Sequence, residues 1–275
     1  MTDQEIRSRT ELRHRRRTRV WAWVGAIVLV VAAAGIGVVA LSGSDSGTKA
    51  RAASTGATSA LEPATGANLS ADLARVPFRA VATKGDDIAV FSAPDNNAEP
   101  MAMLTKKTEY LIPRTLLAFD QYQDWLHVYL PTRPNSSTAW VKASDVNVST
   151  PLEWQIRVSL ADHHLWLLHN GVVDFETGVA IGTEQYPTPT GVFYITDPLD
   201  LHKTPNLGYG VFAFGLSGHS DVLTDFAGSD GQIGLHGTSN PGDIGRDVSH
   251  GCVRITNDSI ERLSTLPIGT PVVIT

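Results

Sequence analysis

Apolar residues are spaced along this chain in three ways, and each spacing predicts a different element. Residues 20–41, VWAWVGAIVLVVAAAGIGVVAL, run for 22 positions without a charge. As a helix rising about 1.5 Å per residue, such a run covers roughly 33 Å, enough to cross a bilayer core. Residues 42–77 are the reverse: Ala, Ser, Thr and Gly with little to bury, which predicts a flexible linker whose r.m.s. span is about 30–35 Å. From residue 78 the runs become short, rich in β-branched and aromatic residues, and broken by turn formers.

Two β-rich stretches follow from that third spacing. Over 78–148, DIAVFSAP (87–94), YLIPRTLLAF (110–119), WLHVYLP (125–131) and AWVKASDV (139–146) are separated by Pro94-Asp95-Asn96-Asn97, Asp120-Gln121 and Pro134-Asn135-Ser136. Short strands at this interval predict a small antiparallel barrel. Over 152–275, QIRVSL and HLWLLH read as strands, with Asn170-Gly171 as a hairpin turn. A Pro-rich turn precedes a strand at Val192–Ile195. Asn257 or Asp258 caps a short helix, SIERLSTL, which Pro267 and Gly269 stop. TPVVIT closes the chain as a strand. The expected fold is mainly β: an N-terminal transmembrane helix, a small barrel, then a β-rich domain with one or two short helices. Residues 198–235 hold many glycines and scattered aromatics without a steady period, which fits either binding loops or an ordinary surface excursion.

Charge changes the picture at the N-terminus. Residues 1–19 carry Arg7, Arg9, Arg13, Arg15, Arg16, Arg17 and Arg19 against Asp3, Glu5 and Glu11, a net +4 in a chain whose total is −6. A basic tail by itself suggests nucleic acid. Placed directly before an apolar run, with Trp21 and Trp23 at its edge, it instead predicts a cytoplasmic tail held inside by the positive-inside rule. Residues 42–275 are then extracytoplasmic, anchored by one membrane span at 20–41, and no nucleic-acid partner is expected. The apolar run is longer than a signal-peptide core and ALSGSDS is a poor cleavage site, so an uncleaved anchor is the preferred reading.

Composition then isolates one residue. Cys252 is the only cysteine. Structural cysteines outside the cytoplasm come in pairs, so a single thiol there is inert and buried, intermolecular, or reactive. A reactive thiol needs a base or a positive charge nearby, because the thiolate is the nucleophile. Three candidates stand near in sequence: His236 in LHGTSN, His250 and Arg254. The turn-rich segment between Gly237 and Gly251 can fold back to bring them close. Gly251 marks a tight turn in which backbone N–H groups converge, as an oxyanion hole requires.

LHGT at 235–238 followed by SHGCVR at 249–254 resembles the signature of the L,D-transpeptidase catalytic domain. QIRVSLADHHLWLLHNG resembles that domain's opening, YPTPTGVFYI its turn-and-strand element, and LPIGTPVVI its ending, so the resemblance spans about 120 residues in order. It implies Cys252 as nucleophile and His236 as the base that takes and returns its proton. The Gly237 carbonyl would orient the imidazole. Ser249, His250 and Gly251 would support the oxyanion site, the backbone N–H groups of 250–252 holding the oxyanion. Arg254 would lower the thiol pKa or hold a substrate carboxylate. The implied partners are peptidoglycan stem peptides, a donor tetrapeptide and an acceptor diamino acid. Cys252 would break the amide between a diamino acid and terminal D-Ala, form a thioester and pass the acyl group to an amine, giving a 3→3 cross-link. Carbapenems are expected to acylate the same thiol. Residues 78–148 in turn resemble the bacterial SH3-like domain through VFSAP, Trp125 and Trp140, with a binding or spacing role.

Rival readings are weaker on the residues. Cys252, His250 and His236 are zinc-ligand types but lack a paired C-x-x-C or H-x-x-x-H element, so no metal and no cofactor are expected. His163 and His164 are adjacent and would face opposite sides of a strand, and His202 and His219 read as solvated. A non-catalytic wall-binding protein leaves the Cys252–His236–His250 set unexplained. An L,D-carboxypeptidase, with water as acceptor, stays open.

Overall fold

Alternating burial along short strands builds two hydrophobic cores in this computed structural model, which describes residues 78–204, 208–225 and 229–275. The basic tail, membrane span and linker expected over 1–77 lie outside the described residues. Among those described, no helix is long and apolar enough to cross a membrane.

The first core is enclosed by β1 (Arg79–Thr83), β2 (Ile88–Val90), β3 (Ala102–Leu104), β4 (Thr115–Tyr122), β5 (Trp125–Tyr129), β6 (Thr138–Lys142) and β7 (Val146–Pro151). Five of these form a sheet in the order β6-β5-β4-β1-β7, and β2 pairs with β3 in a separate hairpin. Val81, Leu116, Leu117, Val128 and Val141 are fully buried between them. The apolar run 110–119 is not one strand, because Pro113 interrupts it. Leu111 turns through φ +64° and its N–H donates to Thr108 O, so β4 starts only at Thr115.

The second core lies under an eight-stranded sheet. Its strands are β8 (Trp154–Ser159), β9 (His164–His169), β10 (Val172–Gly178), β12 (Gly191–Asp200), β13 (Phe212–His219), β14 (Gln232–Thr238), β16 (Val253–Thr256) and β17 (Pro271–Ile274), in the order β10-β9-β8-β17-β12-β13-β14-β16. The short strands β11 (Ile181–Gly182) and β15 (Asp247–Ser249) pair beside it. Asn170 and Gly171 both take positive φ, the geometry of a type I′ turn, and join β9 to β10. The α-helix among the described residues, α1 (Asn257–Leu263), buries Ile260 and Leu263. Its N-cap is Thr256, whose Oγ1 accepts the Ser259 N–H, and not Asn257 or Asp258.

The stretch read as aperiodic between 198 and 235 contains β13, in the middle of the sheet. Its glycines hid the alternation and each answers a packing demand. A Cβ on Gly218 would stand 2.5 Å from the Phe193 ring, and one on Gly215 would stand 3.1 Å from Asp197 Cβ.

The two cores are joined through β12. Tyr194 is wholly buried in the first core, and its hydroxyl donates to Tyr129 O at 3.4 Å. Asn135 accepts the His219 N–H at 2.9 Å and donates to His219 O at 2.7 Å, while the Arg133 guanidinium donates to Ser220 O and Leu223 O. The turn that separates β5 from β6 is therefore also a clasp on the second sheet.

Candidate active site

β14 and β16 run parallel, so the chain between them must cross over, and residues 239–252 do so. In register, Leu235 stands opposite Val253 and His236 opposite Arg254. One step earlier, Gly234 stands opposite Cys252, and the Gly234 N–H donates to Cys252 Sγ at 3.3 Å. Leu235 and Val253 point into the core, so Gly234, His236 and Cys252 share the opposite face. A Cβ on Gly234 would lie 3.9 Å from the sulfur, in ordinary contact with it.

The turn carrying Cys252 is braced from within and without. Gly251 takes φ +116°, a conformation that favours glycine. Its N–H donates to Ser249 Oγ at 3.1 Å, and the Ser249 hydroxyl donates to Cys252 O at 2.6 Å. Outside, Ala180 bonds Arg254 through both backbone groups, and the Thr183 N–H donates to Ser249 O. The convergence expected of the 250–252 amides thus needs correction: the Gly251 N–H is committed to Ser249 and holds the turn. Gly251 also breaks the extended geometry that would have put His250 beside the thiol. His250 is exposed, its ring 4.9 Å from that of Tyr186.

His236 is in the opposite situation. It is 2% exposed, and its Nδ1 lies 2.7 Å from Gly237 O. A carbonyl only accepts, so Nδ1 carries the proton and Nε2 is the basic nitrogen. Burial pulls the imidazole down to about 4; the Gly237 bond opposes this, and the Arg254 charge adds to it. Burial pushes the Cys252 thiol up, with the Gly234 N–H and Arg254 pulling it back. At neutral pH the resting pair is therefore a neutral thiol and a neutral imidazole.

The Gly237 carbonyl is itself locked. A Cβ on Gly237 would fall 2.4 Å from Asn257 Oδ1, and one on Gly210 would fall 2.1 Å from the same atom. Asn257 Oδ1 accepts the Val211 N–H at 3.2 Å, so α1 ties the loop before β13 against the strand that bears His236. Tyr209 on that loop packs its ring 4.7 Å from the imidazole. Burial, then the Cys252 charge, holds its phenol above its ordinary range.

Arg254 is paired with Asp243 at 3.1 Å, both partly buried, while its Nε is buried without a hydrogen-bond partner. Its guanidinium is thus committed to Asp243, and its charge is the smaller of two influences that pull the Cys252 thiol down. His163 pairs with Asp247 and His164 with Glu176. His202 is exposed between Asp200 and Glu261. His219, expected to be solvated, is 6% exposed and lies 3.0 Å from Asp230, because β13 is an interior strand. Among the described residues no three His, Cys, Asp or Glu side chains are grouped to hold a metal.

Gly234, Tyr209 and Asn257 were not legible as site residues. Gly234 lies two residues before His236, the strand spacing that puts both on one face, and that was the available signal. Tyr209 and Asn257 reach the site through tertiary packing alone.

Residues 153–274 match the family model of the L,D-transpeptidase catalytic domain, YkuD. The candidate L,D-transpeptidase YkuD of Bacillus subtilis (strain 168) is 35% identical over 124 residues, 45% of this chain and 66% of that protein. The candidate L,D-transpeptidase YqjB of the same organism is 33% identical over 122 residues, 43% of this chain and 69% of that protein. The chain spans about two thirds of the length of the curated relatives it matches. An L,D-transpeptidase structure from Mycobacterium tuberculosis H37Rv covers 70% of this chain and 95% of its own at 13% identity, with a TM-score of 0.40, too low to add weight to the sequence matches.

Proposed function

The chain belongs to the L,D-transpeptidase catalytic-domain family, and from that premise we propose that it transfers a peptidoglycan stem-peptide acyl group through Cys252. Cys252 Sγ attacks the carbonyl between the diamino acid and terminal D-Ala while His236 Nε2 takes the thiol proton. The resting pair is neutral, so proton transfer accompanies attack, as for a general base. The oxyanion is received by the Cys252 N–H, with the Ser249–Gly251 bond fixing the turn. His236 returns the proton to the leaving D-Ala nitrogen, the C–N bond breaks, and a thioester remains. The amine of a second stem attacks the thioester and passes a proton to His236. The C–S bond breaks, the thiol is reprotonated, and a 3→3 amide is left. The energy of the broken amide is carried in the thioester, as chemistry outside the membrane without ATP requires.

The observation that carries this reading is the row Gly234–His236 facing Cys252, with a buried neutral imidazole whose tautomer a backbone carbonyl sets. The charge asymmetry of residues 1–41 supports an extracytoplasmic location, and the SH3-like resemblance of 78–148 supports a binding or spacing role for that part. Incubating the chain with disaccharide-tetrapeptide and analysing products by mass spectrometry is the test. A dimer that has lost one D-Ala supports transpeptidation, and a tripeptide monomer alone supports the carboxypeptidase. An unchanged substrate would overturn both. A carbapenem should add its own mass to the wild-type chain and none to Cys252→Ala.

A further inference from the structure

The ladder between β13 and β14 breaks beside Cys252. Gly215 pairs with Gly234 and His219 with Gln232, so Leu216, Ser217 and Gly218 on β13 stand against the single Ile233 on β14. A bulge of this kind interrupts the ladder and re-aims the strand next to it. Ile233 is also the residue that meets the thiol turn: a Cβ on Gly251 would lie 3.7 Å from its Cγ2. The next residue, Gly234, donates its N–H to Cys252 Sγ. The direction of that N–H is therefore set by regular pairing on one side, at Gly215, and on the other by whatever holds Gln232 and His219.

Side chains hold that second side. Gln232 Nε2 donates to Leu216 O at 2.9 Å, a carbonyl within the bulge. Asn135, from the first half, takes the place of a neighbouring strand. Its Oδ1 accepts the His219 N–H at 2.9 Å and its Nδ2 donates to His219 O at 2.7 Å. The same Nδ2 donates to Asp221 Oδ1 at 3.1 Å. Arg133 Nη2 donates to Ser220 O and Leu223 O, both at 3.0 Å. Across the hairpin, the Ser220 N–H donates to Gly231 O at 2.8 Å. Gly231 has φ +80°, and a Cβ there would fall 1.9 Å from Leu223 O and 2.9 Å from Arg133 Nη2. The hairpin end is thus closed against the guanidinium, and Gly231 leads straight into Gln232, Ile233 and Gly234.

We propose that the β5–β6 turn is a positioning element for the nucleophile: Asn135 and Arg133 fix the hairpin end beyond the bulge, and through Gln232 and Ile233 keep the Gly234 N–H aimed at Cys252 Sγ. The assignment rests on Cys252 being the nucleophile. An N–H donor stabilises a thiolate more than a thiol, and the Gly234 bond is the larger of the two influences that pull this thiol down. Loosening the clasp therefore weakens the nucleophile without altering Cys252 or His236. The first half then contributes to reactivity itself, beyond a binding or spacing role.

The test is the rate of iodoacetamide alkylation of Cys252 against pH in the full chain, with urea unfolding of each variant alongside. Asn135→Ala should slow alkylation at neutral pH by roughly tenfold, as loss of a hydrogen bond to a charged acceptor implies, and move the rise due to thiol ionisation to higher pH. Hydrogen exchange over 232–236 should quicken in the same variant. Arg133→Lys, which keeps the cation and loses the forked donor, should shift the profile the same way by less. Val81→Ala is the control: it opens a cavity in the first core on β1 and should lose stability while keeping the wild-type profile. An unchanged profile in Asn135→Ala overturns the proposal. So does an equal slowing in Val81→Ala, because the effect would then follow stability alone. If Asn135→Ala does not fold, Arg133→Lys decides by the same criterion. Alkylation reads the thiol whatever its substrate, so a tetrapeptide that yields no product beside the expected alkylation profiles defeats the stem-peptide reading and leaves the clasp standing.

Discussion

The sheet of residues 79–151 and the sheet of residues 154–274 are built from similar strands but treat polar groups differently. In the first, Thr115 is the only buried polar side chain among the described residues. In the second, Asp197, His219, His236, Ser249 and Thr238 are all buried, and Cys252 is half-buried. Burying polar groups is costly unless each finds a partner, so a sheet that keeps several is constrained by more than stability. Their positions are also not scattered. Asp197, His236 and Cys252 share one face of β12–β14–β16, while the opposite face carries Ile195, Phe214, Leu235 and Val253 in an apolar core no different in kind from that of the first sheet. One face of a single sheet provides the fold and the other carries the proposed chemistry.

The most severe break of this contrast is Cys252→Ala. It should abolish acyl-adduct formation completely, since no other thiol exists in the chain; any adduct on the variant by mass spectrometry would move the chemistry elsewhere. Tyr194→Ala tests where the two halves meet. It removes a wholly buried side chain from the first core though it stands on β12, so urea unfolding should show a loss of roughly 3–5 kcal/mol and weaker acylation. An effect confined to stability, with acylation intact, would mean the halves are mechanically independent.

The buried imidazole gives a larger pH signature than the first sheet, where burial also lowers His127 and Asp120 opposes it. The folded-state value for His236 is about 4, below the ordinary 6.5. Between those values the unfolded chain binds more protons, so stability rises with pH. Lowering the pH from about 6.5 toward 4 should therefore cost the fold roughly 3 kcal/mol through this residue. Comparing urea unfolding of wild type and His236→Gln at both ends of the window isolates it, and equal slopes would contradict the burial argument. Gly237→Ala should have the smallest effect, about 1–3 kcal/mol, because its Cβ would collide with Asn257 Oδ1 and the Ile260 methyl. Its acylation rate should fall as the imidazole loses its orienting carbonyl.

The contrast also explains what the sequence disclosed. Alternation announced β8, β9 and the Asn170-Gly171 turn because their apolar residues repeat every second position. β13 escaped, since Gly215 and Gly218 replace side chains where Asp197 and Phe193 already fill the space. Pro113 made a strand of 110–119 impossible, although its apolar content suggested one. Cys252 stood out by residue type and the Gly251 turn by its glycine, whereas spacing left His236, His250 and Arg254 open and only the family resemblance singled out His236. Asp197 was not legible, because nothing in ITDPLD distinguishes a buried aspartate from a solvated one. The clasp from Arg133 and Asn135 looked like an ordinary turn for the same reason: its partners are more than eighty residues away in the chain.

The central claim is that His236, sixteen residues from the thiol, and not His250, two residues from it, is the base. The rate of Cys252 alkylation against pH in wild type, His236→Ala and His250→Ala tests this most directly. The account predicts that His236→Ala slows alkylation at neutral pH by roughly 10²–10⁴ and leaves only the rise due to thiol ionisation. His250→Ala should keep the wild-type profile. A wild-type profile in His236→Ala, together with loss of the neutral-pH limb in His250→Ala, would contradict it.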